Sequence, residues 1–98
     1  MKSLQINEKY ISALKTFNLN VESALSEFII LNLSNKISEF ENECEMFENK
    51  YEIDYNSFEA RIKGKINEED FEEEDDYMAW KFAEENKRLL KKRLEEIQ

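Results

Sequence analysis

Residues 30–51 read ILNLSNKISEFENECEMFENKY. Large apolar side chains recur in this stretch at intervals of three and four residues, a spacing that brings them onto one side of an α-helix. The positions are Ile30, Leu33, Ile37, Phe40, Cys44, Phe47 and Tyr51. Because no proline or glycine interrupts them, we predict one long helix that begins at about Val21, ends near Tyr51, and packs through this 30–51 seam.

A shorter helix is predicted before the long one. Asn7 is a suitable N-cap, and apolar residues follow at helical spacing as far as Phe17. Asn18 can end this helix in the left-handed conformation, and Asn20 can cap the next helix. Ahead of the helix, Lys2 to Asn7 alternate polar and apolar side chains, which predicts a short β-strand, with a disordered end as the alternative. A single strand needs a copy from another subunit to pair with, so a dimer is expected.

Two further helices are predicted after residue 51. Asn56 and Glu59 have the spacing of a capping box, and the short helix that they begin ends near Gly64. The last helix is predicted from about Asp75 to Ile97. Its apolar stripe consists of Trp80, Ala83, Leu90, Leu94 and Ile97. The predicted fold class is mainly α, with a short N-terminal strand.

Composition excludes several functional classes. The 98 residues include no histidine, no proline, one glycine and one cysteine. Zinc ligand sets, histidine-assisted nucleophiles and glycine-rich phosphate loops therefore cannot be assembled. Carboxylates are numerous, but a continuous acidic run is usually solvated and lacks the pocket that acid-base catalysis requires. We predict a protein without catalytic residues, bound metal, cofactor or small-molecule substrate.

Membrane insertion and secretion are not expected. The longest apolar run, from Phe28 to Leu31, is far shorter than the ~20 residues that cross a bilayer. The N-terminus lacks a signal-peptide core and the chain has a single cysteine, Cys44, so the sequence predicts a cytoplasmic protein. Cys44 lies in the 30–51 seam, where it is predicted to be a small buried side chain, with a reactive thiol as the alternative.

The formal charge of −9 is confined to the second half of the chain. Residues 1–39 carry four basic and four acidic side chains, whereas residues 68–76 contain eight acids in nine positions. Acids at the start of the last helix and basic residues at its end stabilise it. Aromatic side chains among these acids also suit docking on a basic groove of another protein, with internal packing of the rings as the alternative. The predicted partner-binding residues are Phe71, Glu73, Asp75, Asp76, Tyr77, Trp80 and Phe82.

The first third of the chain resembles the ribbon-helix-helix module of prokaryotic repressors and antitoxins. The residues that carry the resemblance are Leu4 and Ile6 on the strand, Tyr10, Ile11 and Leu14 on the first helix, Asn18-Leu19-Asn20 at the turn, and Val21, Leu25, Phe28 and Ile29 on the second helix. That family commonly has glycine at the first turn position, where this chain has asparagine. The order of the remaining elements is similar to antitoxin-type proteins whose C-terminal region wraps a toxin, often a ribonuclease.

The resemblance implies an intertwined homodimer, or a higher even oligomer, whose paired strands face DNA. The implied dimer interface contains Leu4, Ile6, Ile11, Leu14, Leu25, Phe28 and Ile29. The implied DNA contacts are Lys2, Ser3, Gln5 and Asn7, together with Asn20, Val21 and Ser23 at the start of the second helix, whose free N–H groups would hold a phosphate. The chain lacks an arginine-rich strand, so only weak DNA binding is expected.

The sequence supports two functional hypotheses. The first is an antitoxin in which residues 1–35 dimerise and bind operator DNA, while the acidic residues 36–98 bind and neutralise a toxin. The second is a structural helical bundle or adaptor that binds another protein and no DNA. It requires only that the 30–51 seam pack on the stripe of the last helix as an antiparallel pair.

Overall fold

The chain folds into four α-helices in a computed structural model, which describes residues 5–65 and 70–98. The helices are α1 (Glu8–Thr16), α2 (Val21–Tyr51), α3 (Tyr55–Gly64) and α4 (Phe71–Ile97). The prediction of a mainly α-helical chain is confirmed. No helix in the described part of the chain is long and apolar enough to cross a membrane.

The predicted N-terminal strand is not supported. Residues 5–7 have no regular secondary structure, and residues 2–4 lie outside the described residues. A strand is held by hydrogen bonds to a neighbouring strand, and the described part of this chain offers none. Asn7 instead caps α1, because its side chain accepts a hydrogen bond from the Lys9 N–H at 3.0 Å.

The turn between α1 and α2 forms as predicted. Asn18 has a φ of 57°, the left-handed conformation that follows α1. Asn20 caps α2 and accepts a hydrogen bond from the Ser23 N–H at 2.8 Å. At the other end, α2 is followed by Glu52, which has a φ of 56°. Glycine is the residue that commonly ends a helix in this way, so the residue type at position 52 does not reveal the cap.

The predicted start of α3 is wrong by two residues, and its predicted cap does not form. The N-cap is Asp54, whose carboxylate accepts a hydrogen bond from the Ser57 N–H at 2.7 Å. This backbone hydrogen bond lowers the pKa of Asp54. Asn56 therefore lies within the helix, and the carboxylate of Glu59 is used elsewhere, as described below. The predicted end at Gly64 is confirmed.

The last helix begins earlier than predicted. α4 starts at Phe71 instead of near Asp75, because Asp70 supplies an N-cap that accepts a hydrogen bond from the Glu73 N–H at 3.1 Å. Acidic side chains in a first turn interact favourably with the positive end of the helix. The acidic stretch from residue 71 onward is therefore part of the helix.

α2 and α4 pack antiparallel and form the body of the molecule. Two ion pairs show this direction, Lys50 with Asp76 at 2.6 Å and Glu41 with Lys91 at 3.5 Å. Every side chain of the 30–51 seam is buried or half-buried, which confirms the predicted packing face of α2. On α4 the predicted stripe also packs inward, except that Ile97 at the end is exposed. The core consists of Cys44, Phe47, Tyr55, Phe58, Trp80 and Ala83, so α3 closes one end of the hairpin.

The beginning of α2 extends beyond α4. Since Glu41 pairs with Lys91 and the helices are antiparallel, the end of α4 lies beside about residue 34 of α2. Residues 21–33 span about 20 Å at the helical rise of 1.5 Å per residue, and of the described helices only α1 packs against this part. The molecule is accordingly elongated, with dimensions of 64 × 30 × 21 Å. We refer to residues 8–33 as the N-terminal arm.

Candidate partner-binding surfaces

The inner side of α4 is committed to the hairpin through Trp80. Its indole stacks on Phe47, with ring centroids 5.7 Å apart, and lies 5.2 Å from the ring of Phe58 and 5.6 Å from that of Tyr55. Trp80 has no exposed surface. Of the two interpretations of this aromatic residue, internal packing is the one that the structure shows.

Two acids of the acidic run also point inward and join the helices. Glu73 pairs with Arg61 and with Lys65, at the end of α3. Asp76 pairs with Lys50 and accepts a hydrogen bond from the Tyr51 hydroxyl, both on α2. Hydrogen bonds from Lys65 and Arg61 hold the pKa of Glu73 below its usual range, against the effect of burial.

Burial alone would raise the pKa of Asp76, but the hydrogen bonds from Lys50 and Tyr51 lower it. The same contact affects its partner, since burial and the Asp76 carboxylate raise the pKa of Tyr51 to about 12. Asp76 and Glu73 therefore pair with cations of the same chain, on α2 and at the end of α3. Both are engaged within the hairpin, unlike the fully solvated acids of an acidic run.

A third carboxylate, Glu59 on α3, binds two tyrosine hydroxyls. Tyr77 and Tyr55 each donate a hydrogen bond to Oε2 of Glu59 at 2.8 Å. These bonds lower the pKa of Glu59, and the bond to Glu59 raises the pKa of Tyr77. Tyr77 is thus half-buried and linked to α3. Four of the predicted partner-binding residues, Glu73, Asp76, Tyr77 and Trp80, have these contacts within the hairpin.

The opposite side of α4 is an exposed apolar row. Phe71, Met78, Phe82 and Leu89 are 50 to 69% exposed. They are separated by seven, four and seven residues, so they share one narrow face of the helix. Phe82 contacts the edge of the Phe40 ring on α2, with ring centroids 5.9 Å apart. The side chains of Phe71, Met78 and Leu89 are not part of the core cluster of the described residues.

Acidic side chains fill the gaps in this row. Asp75 and Glu85 occupy the positions that complete its three-four spacing, and both are exposed. Within the described residues neither of them forms an ion pair. We call these six residues, Phe71, Asp75, Met78, Phe82, Glu85 and Leu89, the outer face of α4. The predicted partner-binding residues Phe71, Asp75 and Phe82 belong to it.

A second exposed apolar surface lies on the N-terminal arm. The side chains of Tyr10, Phe17, Leu25, Phe28, Ile29 and Leu31 are exposed, and we call them the arm surface. On α2, Leu25 and Phe28 share a face that differs from the 30–51 seam, and Ile29 lies at the edge of that seam, four residues before Leu33. Beside it, residues of α1 and the α1–α2 turn line an apolar cleft of about 260 Å³, whose walls include Ile11, Leu14, Leu19 and Val21.

The residues of the implied dimer interface divide between these positions. Leu25, Phe28 and Ile29 belong to the arm surface, Ile11 and Leu14 line the cleft, and Ile6 is half-buried. Leu4 lies outside the described residues. Their role in a dimer stays a prediction.

The residues implied to contact DNA are in part used for helix capping. The side chains of Asn7 and Asn20 accept hydrogen bonds from backbone N–H groups, and the Ser23 N–H is bound by Asn20. Gln5 is exposed and Val21 is half-buried, whereas Lys2 and Ser3 lie outside the described residues. DNA binding by these residues stays a prediction.

Cys44 is enclosed between α2 and α4. Its Sγ lies 3.5 Å from Oε2 of Glu84, which also pairs with Lys87 at 2.8 Å. Burial and the Glu84 carboxylate raise the pKa of the Cys44 thiol to about 11. A thiol with so high a pKa is a poor nucleophile, so Cys44 acts as a core side chain.

The described part of the chain contains no group of three or more carboxylate or cysteine side chains placed to hold a metal ion. Comparisons of the chain with protein-family models, curated proteins and solved structures give no match. The outer face of α4 and the arm surface are thus the features that a functional interpretation has to use. The predicted partner-binding set does not include Met78, Glu85 and Leu89. The seven-four-seven spacing of the apolar residues in the sequence indicates Met78 and Leu89, and Glu85 lies in a gap of that spacing.

Proposed function

We propose that the protein is a non-catalytic binding protein of antitoxin type, which binds a basic partner protein through the outer face of α4 and blocks that partner. The observation that carries the proposal is the outer face itself. Four large apolar side chains stand in one exposed row, although the hairpin core is complete without them. An exposed apolar row on a small protein is characteristic of a protein-binding site.

Charge selects the partner. Asp75 and Glu85 stand in gaps of the apolar row, without an ion pair in the described residues. A second copy of α4 laid antiparallel on this face would bring acid against acid, because the row is symmetric about residue 80. Lysine or arginine side chains at the facing positions would instead be attracted. The fitting partner is therefore a different protein with apolar and basic side chains in one groove.

An adaptor that binds and links proteins without blocking them is the second candidate. It is favoured by the antiparallel packing of α2 on α4, the arrangement that this hypothesis requires. Both candidates use the outer face of α4 and differ in what binding does to the partner. Operator binding by residues 1–35 is part of the antitoxin proposal and rests on the ribbon-helix-helix resemblance alone.

The proposal can be tested with a photo-crosslinking amino acid placed at residue 82, and with the same substitution at residue 46 as the control. Met46 is exposed on α2 and lies outside both surfaces. We expect a basic protein from the host to be crosslinked from position 82 and not from position 46. Recovery of the same proteins from both positions would contradict a specific outer face.

The effect on the partner separates the two candidates. The crosslinked protein is expressed alone and then together with the wild-type chain or with its Met78→Lys variant. For an antitoxin, the partner alone slows growth, the wild-type chain restores it, and the variant does not. For an adaptor, growth is the same in all cases. Point substitutions are required because truncation before α4 would remove Trp80 and with it the core.

A further inference from the structure

We propose that the arm surface is the site at which two copies of this chain associate, through helix packing and without a β-ribbon. The arm surface consists of Tyr10, Phe17, Leu25, Phe28, Ile29 and Leu31. It is separate from the outer face of α4, so the proposal does not depend on the partner-binding function.

The N-terminal arm is accessible to a second copy because it extends beyond the α2–α4 hairpin. Residues 21–33 of α2 extend past the end of α4, and of the described helices only α1 packs on them. In the described part of a single copy, this length of α2 therefore keeps Leu25, Phe28, Ile29 and Leu31 exposed. The described residues 5–7 do not cover Phe17 or Phe28, which are 72% and 65% exposed.

Charge permits an identical partner at this site. Residues 8–33 carry two basic and three acidic side chains, a net charge of −1, so two arms approach with little repulsion. Residues 40–98 carry a charge of −9. Two copies joined at their arms would keep their acidic hairpins apart, at opposite ends of an elongated pair.

The exposed area is a large part of what an interface needs. The rings of Tyr10, Phe17 and Phe28 are 58 to 72% exposed. At roughly 150–250 Å² for an aromatic side chain, they expose roughly 300–500 Å² per copy. Leu25, Ile29 and Leu31 add to this area. A stable interface of standard size buries about 800 Å² on each partner, so the arm surface supplies a large part of it.

Shape adds a specific contact. Phe17 is the most exposed large apolar side chain of the arm, and it stands close in sequence to the apolar cleft of about 260 Å³ lined by Ile11, Leu14, Leu19 and Val21. Engineered apolar cavities of about 150 Å³ accept benzene, so a phenylalanine ring can be accommodated in this cleft. In a two-fold pair, each Phe17 ring would enter the cleft of the other copy.

The test is the mass of the full chain in solution, measured by sedimentation equilibrium across two orders of magnitude in concentration. The variants are Phe28→Glu and, as the matched control on the same helix, Met46→Glu, which adds the same charge at an exposed site outside the arm. We expect a dimer for wild type and Met46→Glu, and a dissociation constant increased by roughly tenfold or more for Phe28→Glu. Circular dichroism should show equal helix content in all three.

Several outcomes would overturn the proposal. They are a monomeric wild type at every concentration, equal dissociation by Met46→Glu and Phe28→Glu, and a dimer that is lost on Phe82→Glu but kept on Phe28→Glu. The last result would assign self-association to the outer face of α4. Because Phe28→Glu leaves that face intact, loss of the dimer and loss of partner binding can be distinguished.

Discussion

Replacement of Trp80 by alanine is expected to remove most of the stability of the hairpin. The side chain has no exposed surface and contacts rings from both α2 and α3. Replacing a buried tryptophan by alanine costs about 3–5 kcal/mol. Domains are stable by about 5–15 kcal/mol, and a core of six buried side chains within the described residues places this one at the lower end. At about 4–8 °C per kcal/mol, the midpoint of thermal unfolding should fall by roughly 12–40 °C.

A phenylalanine at position 80 should be far less harmful. The indole Nε1 of Trp80 is buried without a hydrogen-bond partner in the described residues, and an unsatisfied donor costs about 1–3 kcal/mol. Phenylalanine lacks this donor, so the gain offsets part of the lost packing. We expect Trp80→Phe to lower the free energy of unfolding by less than about 2 kcal/mol.

Thermal and urea unfolding followed by circular dichroism will measure these effects, at one fixed protein concentration because association adds to stability. Phe82→Ala serves as the control, since its ring lies on the exposed side of the same helix. It should cost less than about 1 kcal/mol. If Trp80→Ala costs no more than Phe82→Ala, Trp80 does not hold the core; if Trp80→Phe costs as much as Trp80→Ala, the unpaired indole N–H carries no penalty.

Three further predictions concern caps, acids and the thiol. Glu52 and Asn18 both have positive φ, a conformation that glycine adopts without strain. Glu52→Gly should therefore raise the free energy of unfolding by about 1 kcal/mol in urea titrations. Asn18→Gly should raise it by less, because asparagine tolerates positive φ better than glutamate does. The lowered pKa of Asp76 contributes stability that is present above the pKa of an unfolded aspartate and is lost as pH falls through the folded pKa. The unfolding midpoint of Asp76→Asn should therefore depend less on pH between about 5 and 2 than that of wild type. An unchanged pH dependence of the midpoint would contradict this. The pKa of the Cys44 thiol is raised to about 11. At pH 8 it should react with iodoacetamide at least roughly tenfold more slowly in the native protein than in urea, because burial and a small thiolate fraction both slow the reaction. Equal rates would show that the thiol is accessible.

Local sequence signals predicted the helices well where one side chain determines the local geometry. Asn18 and Asn20 mark the α1–α2 turn because asparagine tolerates left-handed backbone and caps helices. The cap at Glu52 was not predictable in this way, since a glutamate with positive φ is held by the surrounding structure. The start of α3 was misplaced because Asn56 and Asp54 are both suitable caps, and packing of Tyr55 against Trp80 favours the earlier one.

A helical protein with a long seam from Ile30 to Tyr51 follows from the amino-acid sequence, because the period of an apolar row requires no knowledge of its partner. The position of the negative charge, beyond residue 39, follows from it as well. Which aromatic and acidic residues of α4 face inward depends on how the helices pack together. Trp80 and Phe82 are two residues apart and differ completely in exposure, because the direction in which α4 meets α2 is fixed by long-range packing. The same packing leaves the first turns of α2 uncovered, which turns an apolar stretch of sequence into an available surface.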